Sequence, residues 1–142
     1  MEQNFKPAAR RKAREYAMQA IYQWQMTGNA LNEIEAQYLA TMNSKKVDIV
    51  YFQELFNGVL TSLHDIDEAV SPAIDREMEH IDPVERAIIR LSAFELKNRI
   101  DIPRRVVINE GIELAKTFGA TDGHKFINGV LDKISKELRP HE

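Results

Sequence analysis

Apolar residues recur at intervals of three and four along most of the chain, the spacing that places them on one face of an α-helix. No window alternates strictly between apolar and polar positions, so the pattern predicts no β-sheet. We therefore expect an all-α fold of seven helices. Their approximate bounds are 7–26, 31–42, 48–70, 72–79, 83–98, 103–118 and 123–139.

Glycines, prolines and capping residues mark the expected helix ends. Gly28 follows the first periodic run and is expected to stop the first helix. Ser71-Pro72 and Asp82-Pro83 each have the form of a capping residue followed by a first-turn proline. Thr121-Asp122 is expected to cap the seventh helix, and Gly58 would permit close contact between the third helix and a neighbour.

The fifth predicted helix has an unusually broad apolar surface. Such breadth is typical of a helix that is buried on more than one side. We find no repeat and no long linker, so the sequence indicates a single domain of two packed helical sub-bundles, at about 7–70 and 72–139. The apolar residues of the fifth helix are Val84, Ala87, Ile88, Ile89, Leu91, Phe94 and Leu96.

Composition excludes several classes of protein. The 142 residues include no cysteine, so disulfides, thiolate zinc sites and a cysteine nucleophile are impossible. This absence fits a reducing, cytoplasmic location. No run of about 18 apolar residues and no signal-peptide pattern occurs, so we expect neither membrane insertion nor secretion.

Positive charge is concentrated at the amino end. The formal net charge of the chain is −3, but residues 1–14 carry five basic groups and one acidic group, Glu2. Such a local field can attract a polyanion despite the acidic remainder, although a solvated basic helix start would show the same pattern. The five basic residues are Lys6, Arg10, Arg11, Lys12 and Arg14.

The helical spacing of these basic residues suggests a phosphate-binding flank. At 100° per residue, Arg10 and Arg14 lie one turn apart on nearly the same line, with Arg11 to one side. Arginine suits phosphate because its guanidinium presents a planar fork of donors. Met18 and Tyr22 continue this line, so the flank becomes apolar, which is interpreted as a docking surface for a protein partner or as ordinary helix packing.

A second candidate site surrounds the predicted start of the seventh helix, where free backbone N–H groups can receive an anion. An aromatic ring there could stack on an unpaired base, although helical spacing is also consistent with core positions. Asp122 is interpreted as an N-cap, or as an acid that hydrogen-bonds a base. The candidate residues are Lys116, Phe118, Asp122, Lys125 and Phe126.

Signals of catalysis or metal binding are weak. The four histidines are scattered, and only Glu77 and His80 have a metal-type spacing. The glycines form no phosphate-cradling loop, and no serine lies in a nucleophile elbow. Glu110 and Glu113 share a helix face, which usually means a solvated surface. We therefore expect no catalytic residue, no metal and no cofactor.

Three stretches of the chain resemble the NusB family. Residues 9–22 are similar to the family's arginine-rich opening, in which Arg-x-x-Ala-Arg leads into a Gln-x-Leu-Tyr helix, with Ile21 here in place of the leucine. Residues 84–96 resemble the family's central helix. Residues 103–131 contain P-x-x-V-V-I-N-E-x-I-E-L-A-K-x-F-G and then K-F-I-N-G-V-L-D, which resembles its carboxy-terminal signature.

The resemblance implies a seven-helix, non-catalytic protein that binds the boxA element of ribosomal RNA leader transcripts together with NusE, a small ribosomal protein. The complex would help RNA polymerase to read through terminators. The resemblance gives the RNA role to Arg10, Arg11, Lys12 and Arg14, and to Lys116, Phe118, Asp122, Lys125 and Phe126. It places Tyr22 and Glu85 on the partner side, beside Met18.

Two other classes of protein remain as alternatives. The same fold serves as the RNA-binding module of some ribosomal RNA methyltransferases, but these 142 residues leave no room for a catalytic sheet domain. A helical scaffold that binds only proteins is the other alternative. RNA binding in moderate salt distinguishes such a scaffold from an RNA-binding factor.

Overall fold

Residues 7–142 are described by a computed structural model, and this part of the chain is helical without strands. The all-α prediction is confirmed for it, whereas Glu2 and Lys6 lie outside the described residues. The seven α-helices of this range are α1 (Pro7–Thr27), α2 (Leu31–Leu39), α3 (Ile49–Thr61), α4 (Leu63–Val70), α5 (Pro83–Asn98), α6 (Arg104–Phe118) and α7 (Gly123–Leu138). Two single 3-10 turns, Ser71–Ala73 and Met78–His80, join α4 to α5.

Several predicted helix ends are confirmed. Gly28 has a φ of 69° just after α1, a conformation that glycine adopts without steric cost. The Asp82 carboxylate accepts the backbone N–H groups of Val84 and Glu85 at 3.0 and 3.1 Å, and Pro83 occupies the first turn of α5. The predicted bounds of α5 therefore agree with the structure, because a cap and a proline act together at its start.

The predicted third helix is wrong, because the structure divides it into α3 and α4 at Ser62. Ser62 has φ −121° and ψ 29°, and its hydroxyl donates to the Gly58 carbonyl at 2.5 Å. The Thr61 hydroxyl donates to the Asn57 carbonyl at 2.7 Å. Hydroxyls that bond to the carbonyl four residues earlier bend helices, and two in succession mark the break that apolar periodicity conceals.

Two further predictions differ from the structure. No α-helix covers residues 72–79; the two 3-10 turns lie there instead, separated by Ile74 in an extended conformation (φ −117°, ψ 153°). Helix α2 ends at Leu39 rather than near residue 42. Residues 7–142 contain seven α-helices, as predicted, but the agreement in number results from two errors. The predicted third helix is two helices, α3 and α4, and the predicted fourth helix is absent.

Helix α5 is the centre of the packing. Its ten consecutive residues 87–96 are all buried, and it packs against α1, α3, α4, α6 and α7. Gly58 allows α3 to approach closely, since a Cβ there would overlap the ring of Phe94. The broad apolar surface predicted for this helix is therefore explained, because its neighbours come from both predicted sub-bundles.

A buried ion pair joins α1 to α5. The Nε of Arg14 lies 3.2 and 3.0 Å from the two carboxylate oxygens of Glu95, and Nη2 lies 2.9 Å from Oε2. Arg14 is 4 % exposed and Glu95 is fully buried. The Tyr51 hydroxyl of α3 also donates to Glu95, so this carboxylate holds three helices together.

The pKa shifts of this cluster follow from its burial and charges. Burial alone would lower the pKa of Arg14, but the Glu95 carboxylate raises it above its ordinary value. Burial raises the pKa of Tyr51, and the charge of Glu95 raises it further. Arg14 therefore stays charged and Tyr51 stays a hydrogen-bond donor at physiological pH.

A second buried arginine attaches the end of the chain to α5. The Arg139 guanidinium donates to the backbone carbonyls of Glu95, Leu96 and Arg99 at 3.2, 3.0 and 2.9 Å. Carbonyls in the last turn of a helix lack partners within the helix. Arg139 supplies such a partner for Leu96 and a second donor for Glu95 and Arg99, whose carbonyls also accept backbone N–H groups. It thereby fixes the residues after α7 against the carboxyl end of α5.

Removal of the Arg14 guanidinium should destabilise the fold strongly, because it leaves the Glu95 carboxylate buried without its cation. We expect Arg14→Ala to lower the free energy of unfolding by about 3–5 kcal/mol, measured by urea titration. The control is Arg11→Ala, which breaks a half-exposed ion pair and should cost roughly 0–1 kcal/mol. Equal losses in the two variants would contradict a dominant role for the buried pair.

Candidate functional site

Arg10 and Arg11, at the start of α1, are held by carboxylates from outside this helix. Arg10 Nε lies 3.1 Å from Asp48 Oδ2, and its guanidinium lies 4.0 Å from the ring centroid of Tyr51. Its side chain is 30 % exposed. Arg10 therefore presents only part of its donor fork to solvent, and the rest fixes α1 against the start of α3.

Arg11 is the most accessible arginine of this group, with 53 % of its side chain exposed. Its Nε and Nη2 form a two-bond pair with the Glu110 carboxylate of α6, at 3.1 and 2.8 Å. Hydrogen bonding and the charge of Glu110 raise the pKa of Arg11. Glu110 is thus an ion-pair partner, and the prediction that it belongs to a solvated face is wrong.

Lys12 and Arg14 have contrasting environments. The Lys12 side chain is 57 % exposed, and its Nζ lies 3.7 Å from Glu15. Arg14 was expected to face phosphate beside Arg10, but its guanidinium is buried against Glu95. The face of α1 that carries Arg14 packs against α5, so Arg14 is a core residue. We therefore remove it from the candidate RNA-binding residues.

The second candidate site, at the end of α6 and the start of α7, is more exposed. The Nζ of Lys116 lies 3.9 Å from Glu113, and that of Lys125 lies 3.5 Å from Asp122. Asp122 has a left-handed backbone (φ 68°) and its side chain accepts no hydrogen bond from the helix start. The expected N-cap bond of Asp122 is therefore absent, and its carboxylate accompanies Lys125 at the surface.

The two phenylalanines of this site are half-buried, and each packs against the hydrophobic core. The guanidinium of Arg76 lies 5.4 Å from the ring centroid of Phe126. Arg76 was missed in the sequence because it is 50 residues away from Phe126, and only the folded chain brings the two together. Phe126 therefore has a cation over its ring, whereas Phe118 lines an apolar groove together with residues of α1.

This groove has a volume of about 500 Å³ and is mostly apolar. It contains Met18 and Tyr22, the two α1 residues expected to meet a partner. Tyr22 is 37 % exposed, but Met18 is only 2 % exposed and offers little contact area. The lining is Met18, Gln19, Tyr22, Gln23, Met26, Thr27, Tyr38, Val84 and Phe118.

Sequence reasoning missed part of the groove. Met26 is 55 % exposed and follows Met18 and Tyr22 at the same four-residue step, which was a signal available in the sequence. Tyr38 and Val84 come from α2 and α5, and only the folded chain brings them beside α1.

Glu85 is near the start of α7. Its neighbour Val84 lines the groove, and a Cβ added to Gly123 would come within 2.6 Å of Glu85 Oε2. Burial raises the pKa of Glu85, and the Asp82 carboxylate raises it further. The native fold therefore disfavours the charged form of Glu85 relative to an exposed glutamate.

No cluster of three or more histidine, aspartate and glutamate side chains suited to a metal ion occurs in residues 7–142. Within the same range, no helix has the length and apolar character needed to cross a membrane.

Comparison with known proteins identifies relatives over nearly the whole chain. The family model described as "NusB family" matches residues 11–136. The transcription antitermination protein NusB of Pseudomonas savastanoi pv. phaseolicola is 59 % identical over 137 residues, which cover 96 % of this chain and 83 % of that protein. The NusB protein of Colwellia psychrerythraea is 55 % identical, with coverage of 96 % and 99 %.

Solved structures have the same fold. A structure of T. maritima NusB superposes with a TM-score of 0.81 at 28 % identity and covers 92 % of both chains. A chain in a crystal structure of the antitermination factors NusB and NusE in complex with dsRNA gives a TM-score of 0.80 at 23 % identity, with coverage of 93 % and 99 %. The chain belongs to the NusB family of transcription antitermination proteins.

Proposed function

We propose that this chain binds boxA-type single-stranded leader RNA together with NusE and so promotes read-through of ribosomal RNA operons by RNA polymerase. The observation that carries the proposal is the continuity of two surfaces at the end of α6. Phe118 lines the apolar groove, and Lys116, Lys125 and Phe126 lie within the same eleven-residue segment. The role requires binding rather than catalysis, and we assign it to the cytoplasm.

The proposed RNA surface has a basic part and an aromatic part. Arg10, Arg11 and Lys12 contact phosphates at one end, and Lys116 and Lys125 at the other. Phe126 stacks on an unpaired base, with Arg76 on its ring as an additional cation. Asp122 orients the Lys125 ammonium, 3.5 Å away.

The proposed partner surface is the groove along α1. Its apolar lining and volume of about 500 Å³ suit several side chains from one face of a protein segment. Phe118, to which the resemblance gives an RNA role, lines the groove, and we therefore propose it as a partner contact. Together with Tyr22 it supplies the aromatic contact area that is typical of interface anchors. Glu85 lies at the edge of this surface and accepts hydrogen bonds from NusE. The high identity to antitermination proteins supports this assignment over a scaffold that binds only proteins.

A gel-shift experiment with a boxA-type leader RNA tests the proposal. We expect binding in moderate salt, and a further gain in affinity when purified NusE is added. A scrambled RNA of the same length is the control for base-specific recognition. Absence of binding to the leader RNA, with and without NusE, would contradict the proposal.

Phe126→Ala should weaken RNA binding more than it weakens the fold, because the ring is only partly buried and we propose that it stacks on a base. We expect a loss of roughly 5- to 150-fold in RNA affinity, the equivalent of about 1–3 kcal/mol for one stacked base. Fluorescence anisotropy with labelled RNA and thermal melting are measured on the same sample. Phe118→Ala is the matched control and should weaken NusE binding while RNA binding by the free chain is retained.

Partner and RNA binding should be coupled, because the two surfaces meet at Phe118 and Glu85. By thermodynamic linkage, the factor by which NusE raises the RNA affinity must equal the factor by which RNA raises the NusE affinity. Tyr22→Ala should weaken NusE binding without changing the RNA affinity of the free chain, whereas Tyr22→Phe should preserve both. Titration calorimetry of the three pairings measures these factors, and equal RNA affinity with and without NusE would refute a composite site.

A further inference from the structure

The basic residues at the start of α1 carry little uncompensated charge. Arg10 is paired with Asp48, Arg11 with Glu110, Lys12 with Glu15 and Arg14 with Glu95. Each pair has one positive and one negative group, so the four pairs together are neutral. Attraction of an RNA backbone depends on cations that replace its counterions, and a cation that already has a carboxylate partner must exchange it for a phosphate.

Two cations without such partners lie in the turn between α2 and α3. Lys45 and Lys46 are exposed, and within residues 7–142 neither ammonium has a carboxylate oxygen within 4 Å. The turn is well defined by Asn43: its side-chain oxygen accepts the Lys45 N–H at 2.9 Å, and its carbonyl accepts the Lys46 N–H at 2.9 Å. The backbone therefore holds both side chains on a fixed part of the surface.

This turn is attached to the start of α1. The Asp48 N–H donates to the carbonyl of Ala9 at 3.2 Å. One oxygen of the Asp48 carboxylate accepts a hydrogen bond from Arg10 at 3.1 Å, and the other accepts one from the backbone N–H of Tyr51 at 3.0 Å. Lys46 precedes Asp48 by two residues, a span of at most roughly 7 Å of chain. The two lysines thus adjoin the arginines of α1.

We infer that Lys45 and Lys46 bind phosphates of the same single-stranded RNA and extend the basic surface of α1 onto the α2–α3 turn. The inference rests on the proposed function, since it concerns the path of that RNA. Lysine ammonium groups act as point charges without the donor fork of arginine. They contribute affinity that is independent of base sequence, while recognition of bases stays with the start of α7.

The salt dependence of RNA binding tests this inference in the full chain. For single-stranded nucleic acid, each phosphate contact contributes about −0.7 to the slope of log affinity against log salt. The double variant Lys45→Gln, Lys46→Gln should therefore have a slope less steep by about 1.4. Between 50 and 200 mM salt, the difference in affinity between wild type and variant should shrink roughly 7-fold by the same relation. The probe is a fluorescein-labelled boxA-type leader RNA.

A matched control removes the same charge elsewhere. Lys97 and Lys133 are exposed and, like Lys45 and Lys46, have no carboxylate oxygen within 4 Å in the described part of the chain, and the double variant Lys97→Gln, Lys133→Gln has the same net charge as the test variant. We expect its slope to match that of the wild type. The variant Lys45→Arg, Lys46→Arg should restore the wild-type slope, and equal melting temperatures show that all variants are folded.

Three results would overturn the inference. If both glutamine variants have the wild-type slope, the turn does not contact RNA, although the proposed function stands. If the Lys45 and Lys46 variant loses NusE binding in the absence of RNA, the turn belongs to the protein interface. If the wild type binds no leader RNA at any salt concentration, with or without NusE, both the inference and the proposed function fail.

Discussion

The buried pair of Arg14 and Glu95 fixes the position of α1 on α5, and the orientation of every candidate residue on α1 depends on it. The pair determines which side of α1 faces the core, because a charged group that loses its partner in the interior is costly. With Arg14 turned inward, Arg11 faces α6 and forms its pair with Glu110. About two turns beyond Arg14, Tyr22 faces the groove. One buried contact thus sets the rotation of the helix that carries both proposed surfaces.

Burial of α5 imposes a second constraint, since a helix surrounded on all sides must satisfy the polar groups at both ends. Asp82 accepts backbone N–H groups at its start, and Arg139 donates to carbonyls at its end. Residues in the capped first turn of α5 are then positioned as well. Glu85 lies against Gly123 at the start of α7, and its neighbour Val84 lines the groove. The first turn of α5, which Asp82 caps, therefore contributes to both proposed surfaces.

Sequence periodicity was sufficient for α5 because its signals are local: a cap, a proline and a broad apolar surface all agree. It failed at Ser62, where the break depends on side-chain hydroxyls that bond to carbonyls, and it overlooked the 3-10 turns after α4. The same limit applies to the site. The basic cluster could be recognised from residues 10–14, but the burial of Arg14 depends on Glu95, which is 81 residues away in sequence. The pairing of Arg11 with Glu110 likewise exists only in the folded chain.

The ion pairs of Arg10, Arg11 and Lys12 reduce the electrostatic attraction that this chain, with a net charge of −3, has for RNA. On the proposed surface, a phosphate replaces a carboxylate, so the energy gained is the difference between two similar charge-assisted contacts. Arg11 illustrates this exchange, because its fork already holds the two oxygens of Glu110 in the geometry that a phosphate would take. The paired cations therefore attract an arbitrary polyanion only weakly. Stable binding then requires contacts that RNA of other sequence does not make. In the proposed complex these contacts are the base stacked on Phe126 and the surface that NusE adds beside Phe118. If the chain binds RNA as proposed, paired cations reduce its affinity for RNA of other sequence, while the composite surface retains its affinity for the specific RNA.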